Sequence, residues 1–437
     1  MTGWLRSSIC GLAFLLAITF SPASAAAYSV LTHEELIDLA WNSSIRPLLL
    51  ARFPGATDAQ LVEAHAYAYG GCAIQDMGYY PFGKRIFSDL THYVRSGDFV
   101  AWLFRNARTI NEYAFAIGAL SHYLGDSIGH LEAINPATGL AFPKLSRRFG
   151  PEVTYDESPH GHIRTEFAFD VEELKERAFA PPAYLSQIGL QTPRKFLAQA
   201  FIDTYGFDVL EVLGRTRPAL RSYRTSVRSF IPSFAEAEVV LHGHQFPPPP
   251  DDDAYRIFAE RVARTNYDRR WKHTYRGPGF KSHLLAIVVF IVPKIGAAAD
   301  LAIKIPNHDT QELYLQSVNH AVEAFDAALK KLGSEPKTLI ALPNIDLDTG
   351  HHVKRGEYRR TDQTYARLLE RLTSVQGRTI PIDVQQNILT FYAISKTALD
   401  PTPRVRAQLE VLKGMKTADG LRPAPEPETE PTPAPKN

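Results

Sequence analysis

The chain has very little cysteine: only Cys10 and Cys72 occur among its 437 residues. Cys10 lies in a segment that we expect to be removed on export, so Cys72 would remain alone in the mature chain. An intrachain disulfide and a zinc cage made of cysteines are therefore both excluded. Any metal site must use histidine, aspartate and glutamate, and stability must come from the core, from bound metal, or from both.

The chain also lacks an excess of charge of either sign. Its 48 lysines and arginines balance 47 aspartates and glutamates, which leaves a formal net charge of +1. No global positive field indicates a nucleic-acid partner, although a local basic patch is not excluded. With 45% hydrophobic and 22% charged residues, the composition is ordinary for a soluble globular protein, and the length allows a large core.

Long hydrophobic runs are scarce, and the first of the two short ones is N-terminal. In residues 1–27, Arg6 precedes the apolar stretch GLAFLLAITF, which is followed by small residues. This pattern is typical of a cleavable secretory signal rather than of a membrane anchor. We therefore expect a periplasmic or secreted protein, cleaved after Ala25, Ala26 or Ala27.

The second apolar run, Leu284–Val292, is interrupted by Pro293 and Lys294. It falls short of the ~20 residues that a membrane-spanning helix needs. Its basic flank would lie on the exported side, against the positive-inside tendency. We expect a buried core helix here, with a surface helix in contact with a membrane as the first alternative and a spanning helix as the second.

Helical signals dominate the first half of the chain, and strand signals are sparse, which predicts an all-α fold. Thr32 and Glu35 have the spacing of a capping box that puts His33 at the first helical position. Thr109 and Glu112 form a second box, before an apolar stretch with helical periodicity. The segment TDAQLVEAHAYAYGG also predicts a helix, which its two glycines end.

The organisation along the chain predicts five parts. A signal peptide (1–27) precedes a helical domain (28–245), and the stretch FPPPPDDD marks a Pro/Asp linker (246–254). A mainly helical C-terminal extension of unknown role follows (255–420). A Pro/Glu tail (421–437) has nothing to bury and should be disordered.

One stretch, SHYLGDSIGHLEAIN, spaces His122, Asp126 and His130 at steps of four. On a helix these residues lie on one face, one turn above another. They adjoin the apolar segment YAFAIGAL, which should be buried, and buried imidazole–carboxylate clusters usually need a cation. We therefore favour a metal site over a set of polar residues on a solvated face.

More ligand-type residues occur in the same half of the chain, and each alone is more typical of a structural role. Together with the stripe they form an ordered series of histidines and carboxylates. The further members are His33, Asp76, His92, His162 and Glu166.

This series, with the HYLGD block at 122–126, resembles the zinc-dependent phospholipase C family, whose fold is shared with the fungal single-strand-specific nucleases. The resemblance covers roughly residues 28–235 and indicates a bacterial branch. It implies a multi-helix all-α fold and an exported zinc-dependent phosphoric diester hydrolase. The family has a longer, proline-containing gap between the HYLGD aspartate and the next histidine, whereas His130 follows Asp126 by four residues.

The resemblance also implies a ligand set for two to three zinc ions. In the family the free N-terminal residue binds zinc through its amine and carbonyl, and cleavage after Ala27 would make Tyr28 that residue. One zinc would be held by Asp76, His92, His122 and Asp126, a second by Tyr28, His33 and the bridging Asp126, and a third by His130, His162 and Glu166. His160 is the alternative to His162.

The chemistry expected of such a centre is hydrolysis by a zinc-bound hydroxide. Zinc lowers the pKa of its bound water from 15.7 to about 7, and two zincs hold a hydroxide for in-line attack on phosphorus. Asp126 and Asp76 are the predicted catalytic residues. Asp126 would bridge two ions, and Asp76 would orient the water or accept its proton. A third zinc would neutralise the phosphoryl oxygens.

The substrate is open between two phosphodiesters. A phospholipid is favoured, with peripheral membrane contact possible through residues 267–292, where Tyr267, Trp271 and Tyr275 precede the apolar run. The alternative is a single-strand-specific nuclease of the same fold, with nucleic acid as its partner. A third hypothesis is a non-catalytic, zinc-stabilised exported binding protein.

Overall fold

The structure is a computed structural model that describes residues 29–291, 303–334, 341–393 and 401–419. The expected export signal, the expected N-terminal ligand Tyr28 and the Pro/Glu tail at 421–437 lie outside the described residues.

The described residues are mostly α-helical, with one pair of short strands, so the all-α prediction is confirmed. The N-terminal helices are α1 (Val30–Ala40), α2 (Arg46–Arg52), α3 (Asp58–Gly71), α4 (Arg85–Tyr93), α5 (Ser96–Asn106), α6 (Ile110–Gly129), α7 (Asn135–Ala141), α8 (Pro143–Phe149), α9 (Pro159–Glu176), α10 (Pro182–Ile188), α11 (Arg194–Tyr205), α12 (Val209–Leu213), α13 (Thr216–Thr225) and α14 (Ile231–His242). They are followed by α15 (Asp253–Val262), α16 (Asn266–Trp271), α17 (Phe280–Ile291), α18 (His308–Ser334), α19 (Arg359–Thr373), α20 (Ile382–Ala393) and α21 (Pro403–Lys413).

Shorter elements connect or extend these helices. Single π-helical turns cover Trp41–Ile45, His130–Ile134 and Ser226–Phe230, and 3-10 turns cover Gln75–Tyr79, Gly243–Gln245 and Lys272–Thr274. Strands β1 (Thr379–Pro381) and β2 (Lys416–Ala418) pair in parallel, with Thr379 opposite Lys416.

Two glycines allow helices α3 and α6 to cross in close contact. A Cβ atom on Gly118 would lie 2.1 Å from the carbonyl oxygen of Ala68, and one on Gly71 would lie 2.2 Å from that of Phe115. Side chains at either position would push the backbones apart. The crossing buries YAFAIGAL, as the sequence predicted, and positions the following turns of α6, which carry His122 and Asp126.

Gly118→Ala is expected to destabilise the protein by about 3 kcal/mol or more, because the nearest atom to the new methyl group is backbone. Gly277→Ala is the control, since nothing lies within 4 Å of a Cβ there, and its effect should stay within about 0.5 kcal/mol. Denaturant unfolding of both variants measures the difference. Equal stability would show that the helix crossing can relax.

The two predicted capping boxes have different outcomes, and the structure adds a third box at Thr57. Thr109 caps α6 with Glu112, and Thr57 caps α3 in the same way. The box predicted at Thr32 is wrong: α1 begins at Val30, and the Thr32 hydroxyl donates to Asp170 Oδ1 of α9 at 3.0 Å. A tertiary hydrogen bond thus replaces the local one.

Helix α17 differs from the buried core helix that the sequence led us to expect. Ala286 and Val289 are buried, but Phe280 is 83% exposed, Phe290 is 77% exposed and Ile287 is 56% exposed. Among the described elements, α17 packs mainly against α14, through the face that carries Ala286 and Val289. Among the described helices, none has the length and apolarity required to cross a membrane.

The predicted C-terminal extension packs onto the first half of the chain rather than standing apart from it. Helix α18 lies against α6 and α1, and one hydrophobic cluster includes residues from both parts. The segment around Asn344–His352 runs past α5, where Ser96 Oγ donates to the carbonyl of Ile345 at 2.6 Å. The five predicted parts of the chain stay predictions.

Candidate metal centre

Helices α1 and α6 approach closely because Gly125 has no side chain. A Cβ atom there would lie 2.9 Å from Leu36 Cδ1 and 3.5 Å from the His33 ring. The imidazole of His33 consequently stacks on that of His122, with ring centroids 4.3 Å apart. Gly125, which lies between His122 and Asp126 in the sequence, thus leaves room for His33 of α1 beside these two residues.

The Asp126 carboxylate lies at the centre of the first cluster. Its Oδ1 is 3.1 Å from His33 Nε2, and its Oδ2 is 3.1 Å from His122 Nε2 and 3.3 Å from His92 Nε2. Asp76 Oδ1 is 3.3 Å from the same His92 nitrogen. All five side chains are buried. A carboxylate that meets different imidazoles with its two oxygens has the geometry of a bridge between two ions.

Backbone carbonyls orient the histidines. His92 Nδ1 lies 2.8 Å from the Ser88 oxygen and His122 Nδ1 lies 3.0 Å from the Cys72 oxygen. Donation from Nδ1 to a carbonyl leaves Nε2 as the lone-pair nitrogen, which faces the cluster in both residues. This second contact is the usual support for a metal-binding histidine.

A second cluster contains His130, His162 and Glu166. Glu166 Oε1 lies 3.2 Å from His162 Nε2 and 3.7 Å from His130 Nε2. His130 opens the π-helical turn that follows α6, and helix α9 supplies the other two residues. The short spacing between Asp126 and His130 does not prevent His130 from lying next to His162 and Glu166. The exposed alternative, His160, is not part of the cluster.

Together the described residues form three groups that could hold a metal ion, each with ligand atoms within 4.8 Å of one another, and two of these groups share His122. All eight predicted ligands within the described residues belong to these groups: His33, Asp76, His92, His122, Asp126, His130, His162 and Glu166. The ninth, Tyr28, lies outside the described residues.

The buried polar atoms of the site fit a bound cation. Both oxygens of Asp76 and Nε2 of His130 are buried and have no hydrogen-bond partner within the described residues. Such atoms are costly to bury unless a cation, a water or a donor satisfies them. Imidazole nitrogens and carboxylate oxygens without thiolates suit zinc in a Lewis-acid role.

The carboxylates and imidazoles shift one another's pKa values. Burial alone would lower the pKa of His92, but contacts with Asp126 and Asp76 outweigh it and raise that pKa well above its usual value. Burial raises the pKa of Glu166 to about 8. Burial lowers the pKa of His130, but the neighbouring Glu166 and Asp348 outweigh it and bring the value to about 9.

Zinc uptake by the second cluster is expected to tighten as the pH rises from 6 to 9. Because the pKa values of the neighbouring His130 and Glu166 are both raised, to about 9 and about 8, the pair holds at least one proton at neutral pH that zinc must displace. Calorimetric titration of the metal-free protein in buffers of different ionisation enthalpy should therefore report proton release on binding. An affinity independent of pH would contradict this.

Sequence reasoning missed one segment that supports the site from the C-terminal part. The carbonyl of Leu347 accepts from His130 Nδ1 at 2.7 Å. Asp348 Oδ2 accepts from Tyr93 at 2.8 Å and from Tyr358 at 2.6 Å, and the Asp348 carbonyl accepts from Asn135. The two aspartates of NIDLDTG were the only local signal, and acidic turns of this kind are common.

The geometry defines a buried histidine–carboxylate metal centre inside a helical fold. Residues 32–206 match the family model described as zinc dependent phospholipase C, and this match supports the resemblance that the sequence indicated. The match includes all eight described ligands and ends before the Leu347–Asp348 segment. Neither a curated protein nor a solved structure matches the chain.

Proposed function

We propose that the protein is an exported zinc-dependent phosphodiesterase of phospholipase C type, which hydrolyses the phosphoester between a phospholipid's diacylglycerol and its head group. The observation that carries the proposal is the Asp126 carboxylate shared by His33, His92 and His122. The second cluster beside it and the family match over residues 32–206 support the same chemistry.

The residues of the first cluster have separate roles in this proposal. Zinc, when bound, supplies an acidic water and charge that neutralises phosphoryl oxygens. Asp126 would be a ligand of both ions of a pair, and His33 would be a ligand of one of them, to which the resemblance adds Tyr28 as the N-terminal ligand of the exported chain. Asp76 has two buried oxygens without hydrogen-bond partners, so it can orient the attacking water and accept its proton.

The second cluster would bind a third ion on the side of the phosphoryl oxygens. His130 is held by the Leu347 carbonyl, and Glu166 lies between the two histidines. In this arrangement the cluster binds and orients the phosphate group rather than moving a proton. We propose two to three zinc ions per chain.

The test is a substrate panel for the signal-processed protein from an exporting host, with zinc measured by elemental mass spectrometry. We expect two to three zincs, a mature N-terminus after Ala25, Ala26 or Ala27, and release of phosphorylated head groups from phospholipid micelles. Cleavage of single-stranded DNA instead would favour the nuclease of the same fold. Zinc without cleavage of either substrate would favour the binding protein.

We propose that helix α17 gives the enzyme peripheral contact with its lipid substrate. Phe280, Ile287 and Phe290 are exposed on this helix, and Arg269 and Arg270 precede it. Apolar side chains beside cations suit a bilayer that contains anionic lipids.

The variant Phe280→Ser/Phe290→Ser should bind vesicles of phosphatidylcholine and phosphatidylglycerol at least about tenfold more weakly, because each lost phenylalanine removes apolar burial. Co-sedimentation measures the bound fraction. Ile382→Ser/Val411→Ser, which alters two exposed apolar residues elsewhere, is the control. Equal vesicle binding of both variants would refute contact through α17.

A further inference from the structure

Two arginines lie against Tyr155, next to the second cluster. The Arg360 guanidinium carbon is 4.4 Å from the centroid of the Tyr155 ring, and that of Arg85 is 5.6 Å from it. Arg85 also donates to the Tyr155 hydroxyl at 3.1 Å. The same ring meets the His162 imidazole edge-on, with centroids 5.9 Å apart. Both guanidinium groups and a candidate zinc ligand therefore contact the same aromatic ring.

The two aspartates that pair with these arginines each pair with a second arginine as well. Asp156 is shared by two arginines, and Asp89 is shared by two more. The four ion pairs are Arg359–Asp156, Arg360–Asp156, Arg85–Asp89 and Arg367–Asp89. The nearby Asp348 accepts from two tyrosine hydroxyls rather than from these arginines.

Among the described residues, the Arg360 guanidinium has an ion pair with Asp156 and no closer polar contact. Its side chain is 14% exposed, its closest acidic contact is 3.4 Å from Nε to Asp156 Oδ1, and its guanidinium makes no hydrogen bond to any described residue. The Tyr79 hydroxyl is buried and likewise lacks a hydrogen-bond partner among the described residues. Tyr79 lies beside His92, with ring centroids 5.8 Å apart. Both residues thus offer donors at the edge of the metal centre.

We propose that Arg85 and Arg360 form a head-group site that accepts phosphate esters of uncharged polyols and disfavours choline. Guanidinium groups pair well with phosphate oxygens, whereas a trimethylammonium group beside them would be repelled. This proposal rests on the proposed function and adds its substrate class, an anionic phospholipid such as phosphatidylglycerol. Arg360 lies beyond the family match, so the C-terminal part of this chain would set the preference.

The direct test is calorimetric binding of glycerol 3-phosphate and of phosphocholine to the zinc-loaded full chain. We expect glycerol 3-phosphate to bind at least about tenfold more tightly. Arg360→Gln should remove most of that difference, and Arg360→Lys should retain part of it. Arg371→Gln removes the same charge from a partly exposed position elsewhere on α19 and should leave the difference between the two affinities unchanged. Zinc content must stay constant in every variant.

Two results would overturn the head-group site: equal or tighter binding of phosphocholine by the native protein, or equal loss of both ligands in Arg360→Gln. The activity arm compares micelles of phosphatidylglycerol and phosphatidylcholine with the same acyl chains, where kcat/KM should follow the binding preference. Failure to cleave either lipid would refute the proposed function, while calorimetry would still decide the phosphate preference.

Discussion

Replacement of Asp126 by asparagine is expected to lower phosphodiesterase activity by well over a hundredfold and to reduce the zinc content of the purified protein. The Asp126 oxygens lie 3.1–3.3 Å from the Nε2 atoms of His33, His92 and His122. An amide has no charge and only one good ligand oxygen, so it cannot bridge two ions. Loss of an outer-shell partner alone costs about 10–100-fold in affinity or activity.

The chain offers a matched control for this variant. Asp38 is also a buried aspartate: its Oδ1 lies 3.2 Å from His65 Nε2, and its Oδ2 accepts from Tyr69 at 2.6 Å. It belongs to none of the groups that could hold a metal among the described residues. Asp38→Asn should lower stability but keep zinc. Elemental analysis and initial rates separate the two outcomes, and an Asp126→Asn protein with full zinc and near-native rates would refute the bridge.

The candidate ligands could be found from the sequence because the strongest signal is local. His122 and Asp126 are one helical turn apart on α6, and His162 and Glu166 are one turn apart on α9, so helix geometry brings each pair together. The resemblance to the family then assigned the remaining histidines and carboxylates to the expected zinc ions. The structure brings all eight described members into three groups that could hold a metal ion, although their role as zinc ligands stays a prediction.

Other features depend on partners distant in the sequence, which periodicity cannot reveal. Thr32 fitted a capping box, but Asp170 takes its hydrogen bond, 138 residues away. The Leu347 carbonyl that orients His130 is separated from it by 217 residues. A backbone carbonyl has no sequence signature, so no motif could have predicted that contact. We expected helix α17 in the core because its composition is apolar. Composition does not show how many neighbouring elements cover a helix, so the exposure of α17 could not be predicted.

Removal of zinc is expected to lower the melting temperature by more than about 10 °C. An ion that binds only the folded chain stabilises it by about 4.1 kcal/mol when its free concentration is a thousand times its Kd. Two such ions would supply about 8 kcal/mol, which is comparable with the whole stability of an ordinary domain. Without them, Asp126 and three histidines would share a buried pocket with no cation to compensate their lone pairs.

Thermal unfolding before and after chelation, with zinc verified by elemental analysis, measures the effect. Zinc added back should restore the melting temperature, whereas magnesium should not, because magnesium prefers octahedral oxygen ligands and these groups are rich in imidazole. An unchanged melting temperature after verified zinc loss would mean that the histidine–carboxylate clusters are stable without metal. Because the described chain contains only the buried free Cys72 and no disulfide, the core alone would then carry its stability.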